Sequence, residues 1–181
     1  MTRDGTVEIH DDHTILRYER RLEHPIERVW AAITEPDEIE AWFARAQVEL
    51  REGGAMRLDW LNTDENGNSA SMPATITALE PRRLLEIEGD PHGVVRFELR
   101  PDGDATILTL VARTPVPDEA MRLRVSAGWH VHLDFLEDFL DDGTRVDWPH
   151  WPRDRWEAIR ERYASGVLAS EAQSSRQAAE R

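Results

Sequence analysis

The chain contains no cysteine, so disulfides, thiolate catalysis and cysteine metal sites are all excluded. It contains no lysine either, since all 22 basic residues are arginine. Schiff-base chemistry and a Walker-type phosphate loop both need a lysine amine, and neither is open to this sequence. No apolar run approaches the roughly 20 residues that span a bilayer. The first residues, MTRDGTVEIHDD, carry acids early and offer no apolar stretch, which is unlike a secretory signal. The expected compartment is the cytoplasm. Positive charge is also scarce. The 181 residues hold 36 acidic side chains, a formal net charge of −14 and a pI near 4.9. Such a surface repels phosphate backbones and anionic headgroups, so neither nucleic acid nor a membrane surface is expected as a partner.

What is present is sufficient for a core. Hydrophobic residues make up 40% of the chain, enough to exclude disorder throughout. Residues 14–22 place Leu16, Tyr18 and Leu22 at period two, which predicts a first strand. Pro25 then opens a helix carrying Ile26, Val29, Trp30 and Ile33, and Thr34-Glu35-Pro36 breaks it. A short second helix carries Ile39, Trp42 and Phe43. Six further strands are predicted over 46–51, 55–61, 72–80, 83–88, 93–100 and 105–112. Gly53-Gly54 and Asp102-Gly103 provide hairpin turns, which makes neighbours antiparallel. The polar stretch over 62–71 predicts a mobile loop.

After Pro117 a long helix is predicted over 118–140, with Gly143 as its stop. Met121, Val125, Gly128, Trp129, His132, Leu133, Leu136, Phe139 and Leu140 share its apolar stripe, while His130, Asp134, Glu137 and Asp138 fall outside it. Residues 146–151 read as extended, and a short terminal helix from Pro152 carries Trp156, Ile159 and Tyr163. The expected architecture is α+β: a curved antiparallel sheet of six to seven strands around the long helix.

The run HPIERVWAAITEPDEIEAWF at 24–43 resembles the opening of the START-like (SRPBCC) superfamily. It is most similar to the branch named for the activator of the ninety-kilodalton heat-shock protein ATPase. Gly54 with its following strand, TALEPRRLLEIE at 77–88, FELRPDGDATILTL at 97–110 and AGWHVHLDFLEDFL at 127–140 match in order. The resemblance implies a helix-grip fold with a hydrophobic cavity between the sheet and the C-terminal helix. Relatives include lipid carriers, cyclases, hormone sensors and a co-chaperone domain, so fold alone does not select a function. The expected organisation is an N-terminal extension over 1–12, the START-like domain over 13–142, a docked tryptophan-rich segment over 143–165 and a flexible tail over 166–181.

Candidate chemistry is sparse. His130 and His132 lie about 200° apart on a helix and cannot close on one ion, and His10-Asp11-Asp12-His13 sits where a solvated turn is expected. Glu86 and Glu88 share the outer sheet face, where cross-strand pairing with arginine is the simpler role. No cofactor, metal or catalytic set is expected. The seven tryptophans carry more information. Trp42, Phe43, Trp60, Met72, Phe97, Trp129, His132 and Leu136 are the expected lining of a cavity, with Met56 beside them. The expected ligand is small and hydrophobic, aromatic or lipid-like, with His132 as its polar anchor and the protein a monomer or homodimer. Two other readings stay open: a co-chaperone module stimulating a chaperone ATPase, and a cyclase or aromatase using His132 as acid or base. At the end of the long helix, Glu137, Asp138, Asp141 and Asp142 oppose the macrodipole, and Arg145, Arg153 or Arg155 are expected to fold back on them.

Overall fold

The computed structural model describes residues 3–63, 67–90, 92–115 and 118–179, with only the backbone described from 167 onward. Part of the predicted 62–71 loop, the helix-opening Pro117 and the two ends of the chain lie outside the described residues. Among the described residues eight strands form one sheet, each antiparallel to its neighbours. They are β1 (Thr6–Ile9), β2 (Thr14–Leu22), β3 (Arg45–Val48), β4 (Ala55–Asp59), β5 (Ser71–Glu80), β6 (Leu84–Gly89), β7 (Gly93–Asp102) and β8 (Ala105–Thr114). Their spatial order is β1-β2-β8-β7-β6-β5-β4-β3. From β3 to β8 the chain runs as a meander, and the first hairpin adds to its far edge.

β1 raises the count above the six or seven strands expected. Its four residues are mostly exposed, so it carries no alternation for a pattern to reveal. It pairs with β2 from Thr6 opposite Arg17 to Ile9 opposite Thr14, and His10–His13 become the turn between them.

The break between the first two helices is local chemistry. α1 (Ile26–Thr34) ends at Glu35, whose extended backbone is what a residue before proline prefers, and Pro36 opens α2 (Pro36–Trp42). The long helix α3 (Glu119–Asp142) is capped at both ends. The Asp118 carboxylate accepts from the Met121 amide at 2.8 Å. Gly143 closes the other end at φ +79°, a left-handed conformation that glycine adopts without a Cβ penalty.

The core fills the space between the concave sheet face and α3. On β2, Leu16, Tyr18 and Leu22 point inward as the alternation predicts, and Arg20 shares that face at 3% exposure. On the outer face Glu86 stands opposite Arg96 and pairs with it at 3.0 Å, while Thr77 donates to the same carboxylate at 2.8 Å.

Beyond α3 the chain turns back along it. The Val146 amide donates to the Ala41 carbonyl at 2.8 Å, and Trp148 Nε1 donates to the Glu40 carbonyl at 3.1 Å. The segment read as extended contains a short 3-10 turn, Trp148–His150. The last helix, α4 (Arg153–Ala179), buries Ile159 and Tyr163. Its backbone is helical past Gly166.

Candidate functional site

An apolar chamber of about 200 Å³ lies between the sheet and α3. Leu58, Met72, Ile87 and Val95, one from each of β4 to β7, form its floor. Val125, Gly128, Trp129 and His132 come from α3 at spacings that keep them on one face and form its roof. Phe43, Trp60 and His92 make the side wall.

Phe43 organises that wall. It follows the last residue of α2, where the backbone turns into β3. Its ring stacks on Trp42 and on Trp129, both with centroids 5.1 Å away, and meets Trp60 edge-on at 5.4 Å and His132 edge-on at 4.9 Å. Both arrangements suit the ring quadrupoles. Trp60 lies against His92, with centroids 5.1 Å apart.

Five of the expected lining residues, Phe43, Trp60, Met72, Trp129 and His132, surround the chamber. The other three stand behind its walls. Trp42 is 1% exposed, and its indole N–H donates to the Ala32 carbonyl at 2.9 Å, so it fixes α2 to α1. Phe97 packs edge-on behind Trp129 with centroids 6.2 Å apart. Leu136 is fully buried, one turn beyond His132. Met56 is likewise core. Pattern alone does not separate a residue facing a void from one filling the layer behind it.

Two wall residues escape the pattern. His92 sits in the turn between β6 and β7, outside any periodic element. Arg124 lies on the helix at the rim, one turn before Gly128.

His132 is neutral. Its Nδ1–H donates to the Trp42 carbonyl at 3.0 Å, leaving the lone pair on Nε2, and burial pushes its pKa down to about 4. It is both a satisfied core histidine and part of the chamber wall. Burial lowers His92 as well.

The chamber adjoins a wider cleft of about 820 Å³, with which it shares Trp60, His92, Arg124, Gly128 and His132. One side of the cleft is the polar strand connection, including Asn62, Asn68 and Ser69. The other side is the C-terminal segment, with Trp151, Arg153, Trp156, Glu157 and Arg160. Trp151 stacks parallel on Trp148 at 6.0 Å and reaches the His132 ring at 5.5 Å.

The opposite side of α3 carries a polar seam. His130 and Asp134, expected outside the buried stripe, are 2% and 7% exposed because α4 covers them. The His130 Nδ1–H donates to the Tyr163 hydroxyl at 2.9 Å, while its Nε2 accepts from Arg162 at 3.2 Å. Burial, with Arg20 and Arg162 nearby, holds this ring below the usual histidine range despite Asp134. Arg155 donates to Asp134 at 2.9 Å and reaches Asp138 at 3.5 Å. Arg20 arrives from β2, with Nε 2.9 Å from Glu137 and Nη2 3.7 Å from Asp134. These contacts are close in distance but poorly aligned as hydrogen bonds, so the attraction is mainly coulombic. Arg145, one of the arginines expected on the acidic turns, instead donates to the Asp37 carbonyl at 2.9 Å.

A curved antiparallel sheet gripping a long helix, with an apolar chamber between them, defines a helix-grip protein of the START-like class. Residues 23–141 match the family described as "Activator of Hsp90 ATPase homolog 1-like protein". That match covers more than half of the chain, which therefore belongs to this family. Among solved structures it is similar to CalU16 from Micromonospora echinospora, at 26% identity and a TM-score of 0.68 over 90% of this chain and 96% of that one. It is also similar to DynU16, a protein of the dynemicin biosynthetic locus, at 25% identity and a TM-score of 0.63 over 77% of this chain and 51% of that one. A conserved protein of unknown function from Enterococcus faecalis, EF2215, shares the fold at 18% identity and a TM-score of 0.70, covering 91% of each chain. No curated protein sequence matches the chain. Among the described residues no helix is long and apolar enough to cross a membrane, and no cluster of three or more potential ligands could hold a metal ion.

Proposed function

We propose that the protein binds a small hydrophobic molecule in the chamber between the sheet and α3. The observation that carries this reading is Gly128. It lies in the middle of a 24-residue helix, where glycine costs about 1 kcal/mol relative to alanine. A Cβ built there meets nothing within 4 Å, because the position opens into the chamber. A sequence selected only for stability would place a side chain in that space. The volume agrees: a dry cavity of about 150 Å³ holds benzene, so about 200 Å³ takes an aromatic ring with a small substituent. Neutral His132 offers a single polar contact from its place in an otherwise mainly aromatic and aliphatic wall. The structural neighbour DynU16 comes from the dynemicin biosynthetic locus, which is in keeping with a small-molecule ligand.

The test uses phenylbutanol, a neutral probe with one ring. It should quench tryptophan fluorescence and raise the melting temperature of the parent, because a ligand held only by the native state stabilises it by mass action. Gly128→Leu should stay folded, fill the chamber and abolish both effects. A response undiminished in Gly128→Leu removes the chamber as the site. Stimulation of a chaperone ATPase with no small molecule present would replace this reading with the co-chaperone one.

A further inference from the structure

Resting on the chamber reading above, we propose that the ligand is an amphiphilic anion. Its apolar body would occupy the chamber, and a single acidic group would lie at the mouth between α3 and α4.

The argument starts from charge. The chain carries −14 overall, so a neutral or cationic mouth is not what chance placement of its side chains would produce. Yet Arg124 and Arg160 border the cleft, and Glu157 is the one carboxylate among its described lining residues. Among the described residues Arg124 is the only formally charged one that lines the apolar chamber as well as the cleft. It stands one turn from Gly128, where α3 passes from the rim to the roof. Neither Arg124 nor Arg160 makes an ion pair with a described residue. This contrasts with the polar seam on the other side of α3, where Arg20, Arg155 and Arg162 all face carboxylates. The Arg160 guanidinium lies 5.8 Å from the centre of the Trp156 ring, a contact that orients the side chain without neutralising it. The two histidines at the mouth, His92 and His132, both have lowered pKa values and add no positive charge at neutral pH.

Arginine suits this task because its planar fork meets a carboxylate, sulfate or phosphate with two parallel N–H donors. A mouth of this kind rewards an acid whose apolar part already fits. It also attracts the acid through the repulsive field of the rest of the surface. Arg160 lies in α4, beyond residues 23–141, so the charge selectivity depends on a segment outside the matched family region.

The experiment compares three probes of one shape, phenylbutyrate, phenylbutanol and phenylbutylamine, by calorimetry at low salt. Phenylbutyrate should bind the parent on the order of tenfold more tightly than phenylbutanol, with phenylbutylamine weakest. Raising the salt should narrow the gap. In the double variant Arg124→Gln, Arg160→Gln, the acid should lose on the order of tenfold more affinity than the alcohol, so that the two bind alike. Equal affinities for acid and alcohol in the parent overturn the proposal, as does an acid preference that survives in the double variant. Gly128→Leu separates this failure from failure of the chamber reading. If phenylbutanol binds the parent and is lost in Gly128→Leu, the chamber stands whatever the acid does. If phenylbutanol does not bind the parent, both readings fall.

Discussion

The two long faces of α3 are buried in opposite ways. Towards the sheet, Val125, Gly128, Trp129 and His132 border an unfilled apolar space. Towards α4, His130 and Asp134 are sealed among arginines, a tyrosine and further carboxylates. The first face gains from leaving volume empty only if something else fills it. The second gains nothing from a vacancy, since each buried charge there needs its partner. One helix therefore combines a face whose looseness suits binding with a face whose completeness holds the C-terminal segment in place.

The largest effect expected from this contrast is on the charged face. Arg20→Ala removes the cation reaching Glu137 and Asp134 from β2 and leaves buried charge uncompensated, which should cost about 3–5 kcal/mol in urea unfolding. A loss below about 1 kcal/mol would mean that Arg3 and Arg155 carry the seam without it.

The buried histidines add a response to acid. His132 has a folded pKa of about 4 against about 6.5 when unfolded, so the unfolded chain binds the proton more readily. The contribution is complete above about pH 6.5 and is lost as the pH falls towards 4, on the order of 3 kcal/mol for this group. His130 acts in the same direction, as burial also lowers its pKa. Melting temperature should therefore decline across that window, and His132→Gln should flatten the slope. A curve that stays level down to pH 4 in the parent would contradict the burial of both rings.

The apolar face is probed by a pair of tryptophans. Trp42 fills the layer behind the chamber, and Trp42→Ala should cost the about 3–5 kcal/mol of a filled core site. Trp129 borders the void, so Trp129→Ala should cost clearly less than Trp42→Ala while weakening phenylbutanol binding. Equal losses at the two positions would mean that the chamber closes in solution. The smallest expected change is a gain. Gly128→Ala should raise stability by about 0.5–1 kcal/mol, because the helix loses a glycine and the new methyl meets open space.

The reach of the sequence differs between these regions for a physical reason. The seven strands from β2 to β8 were legible in alternation and turn glycines, and α3 in its apolar stripe and the Gly143 stop. β1 was not, because a short exposed edge strand has no buried face to pattern. Arg20 lay in plain view at period two between Tyr18 and Leu22, yet a charged residue in an apolar alternation reads as an exception until its partners are known. His130 and Asp134 fall outside the stripe because the periodicity towards one packing partner does not anticipate a second.

Local chemistry along the chain therefore determined the elements, their antiparallel pairing and the aromatic character of the space beneath α3. Alternation, helical spacing, proline and glycine each act within a few residues. Which aromatic side chains face a void and which stand behind it was settled only by tertiary packing, as Phe43 and Trp42 show from adjacent positions. The same holds for the pairing of Arg20 with Asp134 and Glu137, and for the meeting of Arg124 with Arg160 at one mouth. These residues lie far apart in sequence. Their juxtaposition depends on the curvature of the sheet and the path of α4, which no local pattern encodes.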